Sequence, residues 1–381
     1  MADTVLRFDP EIIIGLDTVN RAGTFCGHLG RKVLIATEPG LHEKKLVERL
    51  ISVFEDAGSE TILFDGIPAQ ATAEAAENAA SLARGARCDI IVGLGSFRTQ
   101  FIARLASILA ASPIRLFELL EGEREERAFL PYVAIPFLGS DPFLLSDNLI
   151  VVDPRDRLIK LIKCPRGQCK LALLDPSLSD PLNGSTVPAA IFEGLCSSIE
   201  AYCSTKSSFV SDALLEQAIS LYAKTLNSFT GNSSADIHTA CANAALLMAM
   251  GASISTPGIG TALAYAINGK FPVAKSSCAT VLLPYVMEKL IAARPEKMAK
   301  VAALMGEATE GVPVSEAANM TVELVRRQMG RLSVPARLKD LNLLLDRLVP
   351  TANTGRNLDF VAFSPWTVSS EDSYNLLKQA F

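Results

Sequence analysis

The sequence predicts two domains: an α/β domain with a parallel sheet over residues 1–178 and an all-α domain over residues 179–381. Three observations predict it. Short apolar, β-branched runs alternate with amphipathic segments through the first half, the pattern of a sheet covered on both faces. After Asp175-Pro176 helical periodicity dominates and strand runs largely disappear. The chain of 381 residues, 49% of them hydrophobic, is long enough for two domains and a large core.

The strands come in order. Lys32-Val33-Leu34-Ile35-Ala36-Thr37 reads as a buried strand, followed by Pro39-Gly40 and a helix through Phe54. Glu60 to Phe64 is a second strand, Ala71 to Ala86 a helix, Cys88 to Gly93 a third strand and Tyr132 to Pro136 a fourth. Leu149 to Val152 and Leu158 to Ile162 form a hairpin turned by Asp153-Pro154-Arg155-Asp156. The helices of the second domain are expected over 189–202, 211–229, 235–252, 277–294, 297–307, 314–332 and 370–380. Ser369 ahead of Glu371-Asp372, Gly306, and Pro335 after Ser333 supply start and stop signals. The domain boundary falls between Lys170 and Pro188, and a cleft between domains is the default place for a ligand.

Composition excludes several classes. The formal net charge is −5 with scattered Lys and Arg, which argues against nucleic acid and anionic membranes as partners. Apolar stretches such as Ala240 to Ile254 are too short to span a bilayer. Met1-Ala2-Asp3-Thr4 has neither basic region nor apolar run, so a cytoplasmic location is expected. The 8 cysteines are too dispersed for a disulfide framework. Cys164 and Cys169 sit around Pro165 and Gly167 in a turn between strands, and they are too few to make a metal site.

Several segments, in order and spacing, carry a family resemblance. Ile12-Ile13-Ile14-Gly15 precedes Gly30 to Glu38, and Phe64-Asp65-Gly66-Ile67-Pro68 and Cys88 to Ser96 follow. Leu173-Leu174-Asp175-Pro176 stands at the domain junction. Glu193-Gly194-Leu195-Cys196-Ser197-Ser198-Ile199-Glu200-Ala201-Tyr202 and Gly258 to Pro284 lie in the second domain, with Leu332 to Leu338 and Ser364 to Asp372 near its end. The chain resembles the iron-containing (group III) alcohol dehydrogenases and the glycerol dehydrogenase-like superfamily. That implies a Rossmann-like parallel sheet joined to a helical domain, the dehydroquinate synthase-like fold. It also implies NAD as candidate cofactor and dimerisation through the N-terminal edge.

The resemblance places metal ligands in the second domain: an Asp, a His four residues later, and two further His fourteen apart. Those positions read Glu193, Ser197, Thr261 and Lys275. Hydroxyls are poor ligands for iron or zinc, and an ammonium repels a cation. No Fe or Zn is therefore expected. A Glu193–Lys275 salt bridge is the expected substitute. Tyr265 takes a further family His position near the substrate. His28, His42 and His238 stand at none of these positions and read as surface or structural residues; Cys196, Cys203 and Cys278 read as packed cysteines.

The cofactor loops are degenerate by the same comparison. Gly93, Gly95 and Ser96 persist in the glycine-rich loop, whose middle glycine is Leu94, expected to narrow the approach of a diphosphate. Thr99 and Ile102 replace an Asp and a Lys. Arg98 reads either as a replacement charge or as a surface arginine on a first helical turn. Glu38 reads either as the ribose-reading acid or as a strand-end cap near Pro39. Lys160 approximates a family lysine near the cofactor, and Asp141 adds a negative charge where a pyrophosphate would lie.

Three functional readings follow. The first is a pseudoenzyme that binds a partner, either as a homodimer or with an active relative of the same fold, or senses a small anion. The second is a metal-independent NAD-linked oxidoreductase using Lys275, Glu193 and Tyr265 for acid–base work. The third, an ordinary metal-dependent alcohol dehydrogenase, ranks last.

Overall fold

A computed structural model describes residues 6, 8–39, 41, 45–122, 128–137, 141–179, 186–232 and 234–381. Two compact units emerge from it: one comprises residues 7–139 and 143–181, the other residues 1–6, 140–142 and 182–381.

Among the described residues the first unit holds eight strands: β1 (Glu11–Ile14), β2 (Lys32–Thr37), β3 (Glu60–Phe64), β4 (Ile90–Gly95), β5 (Tyr132–Pro136), β6 (Asn148–Val152), β7 (Ile159–Lys163) and β8 (Cys169–Leu174). Six form a parallel sheet in the order β1-β8-β5-β4-β2-β3, and β6 pairs with β7 as an antiparallel hairpin. Helices α1 (Ala22–Cys26), α2 (Leu46–Asp56), α3 (Ala73–Ala86), α4 (Phe97–Ala111) and α5 (Leu116–Leu120) connect the strands. Residues Val33, Ile35, Ile90, Val92, Val133 and Ile135 are wholly buried in one core with Leu50 and Phe54 of α2. Burying each aliphatic side chain contributes about 1.5–3 kcal/mol, which is why unbroken apolar runs mark these strands.

Strand β4 departs from expectation. β4 extends through Gly95 and pairs with β5, Leu94 lying opposite Ile135. Leu94 is fully buried in the core, so its side chain does not narrow the turn ahead of α4. Apolar burial at strand alternation outweighs the loop reading of the Gly-Leu-Gly stretch.

The second unit is helical: α6 (Thr186–Cys203), α7 (Phe209–Ser228), α8 (Ala235–Ile254), α9 (Ile259–Lys270), α10 (Lys275–Ala293), α11 (Pro295–Leu304), α12 (Val314–Arg331), α13 (Val349–Arg356) and α14 (Ser370–Gln379). Local chemistry sets several boundaries. Ser208 accepts from the Ser211 amide at the start of α7, and Ser369 and Asp372 form a reciprocal capping box at the start of α14. Gly306 turns the chain after α11 with φ of +98°, a conformation that favours glycine. Almost every residue of α6 is buried, so it is the central element of this unit. Gly194 lets α7 come close: a Cβ there would lie 2.3 Å from Cζ of Tyr222. Among the described residues, α8 is the one helix long and apolar enough to cross a membrane, and half of its most apolar window is buried inside the protein.

Candidate functional site

Helix α6 supplies the base of the site. Glu193, Ser197 and Glu200 are spaced four and three residues apart, which puts them on one helix face. All three are buried, at 7%, 1% and 3% exposure. Buried carboxylates must find cations or N–H donors, and each finds a different solution.

Glu200 satisfies the N-terminus of α9. Its carboxylate accepts from the amides of Gly258 (3.1 Å), Gly260 (2.5 Å) and Thr261 (3.0 Å), and from the Thr261 hydroxyl (2.6 Å). These are the orphan donors of a first helical turn, with the helix dipole adding to the attraction. Gly260 makes room for the approach, since a Cβ there would lie 3.0 Å from Glu200 Oε1 and 2.7 Å from Val286 Cγ2. Burial pushes the Glu200 carboxyl pKa up more strongly than the Thr261, Gly260 and Gly258 hydrogen bonds hold it down. Thr261 also lies 3.2 Å from the Ser197 hydroxyl, so these two positions spend their hydroxyls on each other and on Glu200.

Lys275 is the first residue of α10, the positive end of a helix and an unfavourable place for an ammonium. It is 3% exposed. Two carboxylates compensate: Nζ lies 2.8 Å from Glu193 Oε1 and 2.6 Å from Asp141 Oδ2. The ammonium also stands 4.1 Å from the centroid of the Tyr265 ring, a cation–π contact, and the Tyr265 hydroxyl donates to Asp141. Burial opposes the charged lysine, but Asp141 and Glu193 outweigh it and hold the Lys275 pKa above its ordinary value. Burial, then Asp141, raises the Tyr265 phenol pKa well above its usual range.

The structure therefore brings together Glu193, Lys275 and Tyr265, and pairs Ser197 with Thr261. It also adds a residue read otherwise from sequence. Asp141 groups with the helical unit and is spent on Lys275 and Tyr265, so its charge is compensated and does not stand as a free repellent for a phosphate. No local pattern could have announced this pairing, because the partners are 134 residues apart in sequence. Glu200 was also missed as a site residue. Its position seven residues after Glu193 was the available signal, one helix face carrying two acids.

The donor set does not suit a divalent iron or zinc ion. It offers Glu193 and Asp141, both paired to an ammonium, and two hydroxyls already engaged. Among the described residues no cluster of three His, Cys, Asp or Glu is arranged to hold a metal. Cys196 and Cys278 are fully buried, and burial raises both thiol pKa values. His28 is exposed, His238 is 1% exposed within α8, and His42 lies outside the described residues.

The glycine-rich turn belongs to the α/β unit. Gly93 and Gly95 lie in the last half of β4, and Ser96 holds the N-cap position of α4 without a side-chain cap bond. Glu38, at the end of β2 and 8% exposed, reaches into this turn. Its Oε1 accepts from the Ser96 amide (2.6 Å) and the Thr99 hydroxyl (2.9 Å), and its Oε2 pairs with Arg98. Glu38 is thus a cap for α4 rather than one near Pro39, and Arg98 is its counter-ion on the first turn of α4. Lys160 lies in β7 with Asp156 3.6 Å away, a partly exposed surface pair.

Comparisons with known proteins agree on the fold. The family model described as "Iron-containing alcohol dehydrogenase" matches residues 9–176, and that described as "Fe-containing alcohol dehydrogenase family, C-terminal" matches residues 189–381. A 1,3-propanediol dehydrogenase of Citrobacter freundii is 25% identical over 333 residues, 86% of each chain. An NAD-dependent methanol dehydrogenase of Bacillus methanolicus is 21% identical over 97% of this chain and 98% of its own. The solved structure of a 1,3-propanediol oxidoreductase superposes over the whole of both chains with a TM-score of 0.92 at 24% identity.

Proposed function

The chain belongs to the iron-containing alcohol dehydrogenase family, and we propose that it is a pseudoenzyme of that family in which an internal ammonium replaces the metal ion. The observation that carries this reading is Lys275 Nζ between Glu193 and Asp141. A metal in this family would polarise an alcohol oxygen and assist departure of a hydride. Here the charge that neutralises the carboxylates comes from the chain itself. At an effective dielectric of about 20, two unit charges about 4 Å apart repel by about 4 kcal/mol, and a divalent ion meets about twice that. Ser197 and Thr261 offer no anionic or imidazole ligand to offset it.

The same geometry disfavours metal-independent catalysis by Lys275, Glu193 and Tyr265. A general base needs a lysine of lowered pKa, and its two carboxylates push Lys275 the other way. The Tyr265 proton is committed to Asp141 in a buried site. The role left is binding: in the cytoplasm, as a homodimer or with a catalytically active relative of the same fold. The relatives named above are dehydrogenases, so a partner of that kind would bring the chemistry this chain lacks.

A thermal-shift screen of the purified protein tests the reading, since a ligand bound only by the folded state raises the melting temperature. Ferrous iron, zinc and primary alcohols should leave it unchanged, and native extract should yield the protein together with a second copy or a family relative. A rise in melting temperature on adding zinc or iron would refute it.

A further inference from the structure

We propose that Glu38 is a built-in competitor for phosphate: it keeps nucleotide diphosphates, NAD included, out of the turn between β4 and α4. Helix N-termini bind phosphates because their first amides have no partner within the helix. Here the donors that would meet an incoming anion are already taken. The Ser96 amide and the Thr99 hydroxyl donate to Glu38 Oε1, and the Arg98 guanidinium pairs with Oε2. The carboxylate sits against the turn itself, since a Cβ on Gly95 would lie 2.9 Å from Glu38 Oε1 and 2.7 Å from Thr99 Oγ1.

The turn is also locked from beneath. Gln100 Nε2 donates to the carbonyls of Gly93 (3.1 Å), Gly95 (3.0 Å) and Ile135 (3.3 Å), and the Phe137 amide donates to Gly95 O (3.1 Å). The turn therefore cannot recede to admit a diphosphate beside Glu38, and any phosphate placed there meets a buried like charge. The turn still holds capacity for an anion. Arg98 Nε is buried without a hydrogen-bond partner. Removing the carboxylate would expose a full set of donors: the Ser96 amide and hydroxyl, the Thr99 hydroxyl and the Arg98 guanidinium. This inference does not rest on the reading of Lys275, and its failure would leave that reading standing.

The test is calorimetric titration of full-length protein with ADP and with NAD, comparing the wild type with Glu38→Ser and Glu38→Gln. Glu38→Gln keeps an acceptor for Ser96 and Thr99, and so preserves the fold if the serine variant does not; circular dichroism checks both. At least one folded variant should bind ADP about tenfold more tightly than wild type, a difference of about 1.4 kcal/mol. Adding Arg98→Ala should abolish the gain. Wild-type protein that binds ADP or NAD as tightly as the variants would overturn the proposal, as would folded variants with no gain.

Discussion

The ammonium of Lys275 lies 2.8 Å from the carboxylate of Glu193, an ion pair formed by the first residue of α10 and the buried face of α6. Asp141 closes the cluster at 2.6 Å from the same nitrogen. The family resemblance places a carboxylate at position 193 and an imidazole at position 275. In the proposed reading a covalently tethered cation stands at the metal position, and the energetics of the pair can be measured.

Lys275→Met removes the ammonium that pairs with two buried carboxylates in this cluster. It should cost about 3–5 kcal/mol of unfolding free energy, read from urea denaturation. Replacing the whole cluster with neutral groups, by adding Glu193→Gln and Asp141→Asn, should restore most of that loss, because neutral side chains need no counter-ion. A single variant as stable as wild type would show that the pair is dispensable.

The pair also sets an alkaline limit. The folded-state pKa of Lys275 lies above its unfolded value, so the stabilisation is complete below about pH 10.4, the unfolded value. It is lost as pH rises through the folded-state pKa. On the alkaline side, the stability curves of wild type and of the neutral triple variant should therefore differ in slope only above about pH 10. Curves that diverge instead near neutrality would mean that another group carries the coupling.

Glu38 acts at the other end of the scale. Burial raises its pKa, but Arg98 and Ser96 together outweigh burial and hold it below the ordinary carboxylate value. Its contribution is present above about pH 4.3 and is lost as pH falls through the folded-state pKa. Glu38→Gln should therefore flatten the acid limb of the stability curve while leaving the alkaline limb in place. An unchanged acid limb would contradict the assigned ion pair.

The cysteines should be inert in the folded protein. All eight are buried; burial pushes the Cys169 thiol up to about 11 and those of Cys26, Cys203 and Cys241 up to about 12. Thiolate is the reactive form, so labelling with a disulfide reagent at neutral pH should be slow in native protein and complete after denaturation. Rapid labelling of one thiol in the native state would reveal an exposed cysteine that the structure does not contain.

Much of this was legible from residues alone, for a physical reason. Strand β5 matches its expected limits because a parallel strand buried on both faces needs an unbroken apolar run, and helices α7, α12 and α14 lie within two residues of theirs because periodicity and caps are local. Substitution at the four ligand positions pointed to Glu193 and Lys275 as partners. What escaped was tertiary. Asp141 reads as a stray acid in a loop until the fold brings it to Lys275. Leu94 reads as an obstruction until strand pairing turns it into the core. Glu38 reads as a ribose contact or a local cap until β2 and β4, neighbours in the sheet, set it against the start of α4.

The central claim is that a lysine stands in for the metal, and elemental analysis tests it most directly. Protein incubated anaerobically with excess ferrous iron or zinc at neutral pH and then desalted should retain far less than one equivalent of either, and should form no NADH from NAD and primary alcohols. One tightly held metal ion per chain, accompanied by alcohol-dependent NADH formation, would contradict the account.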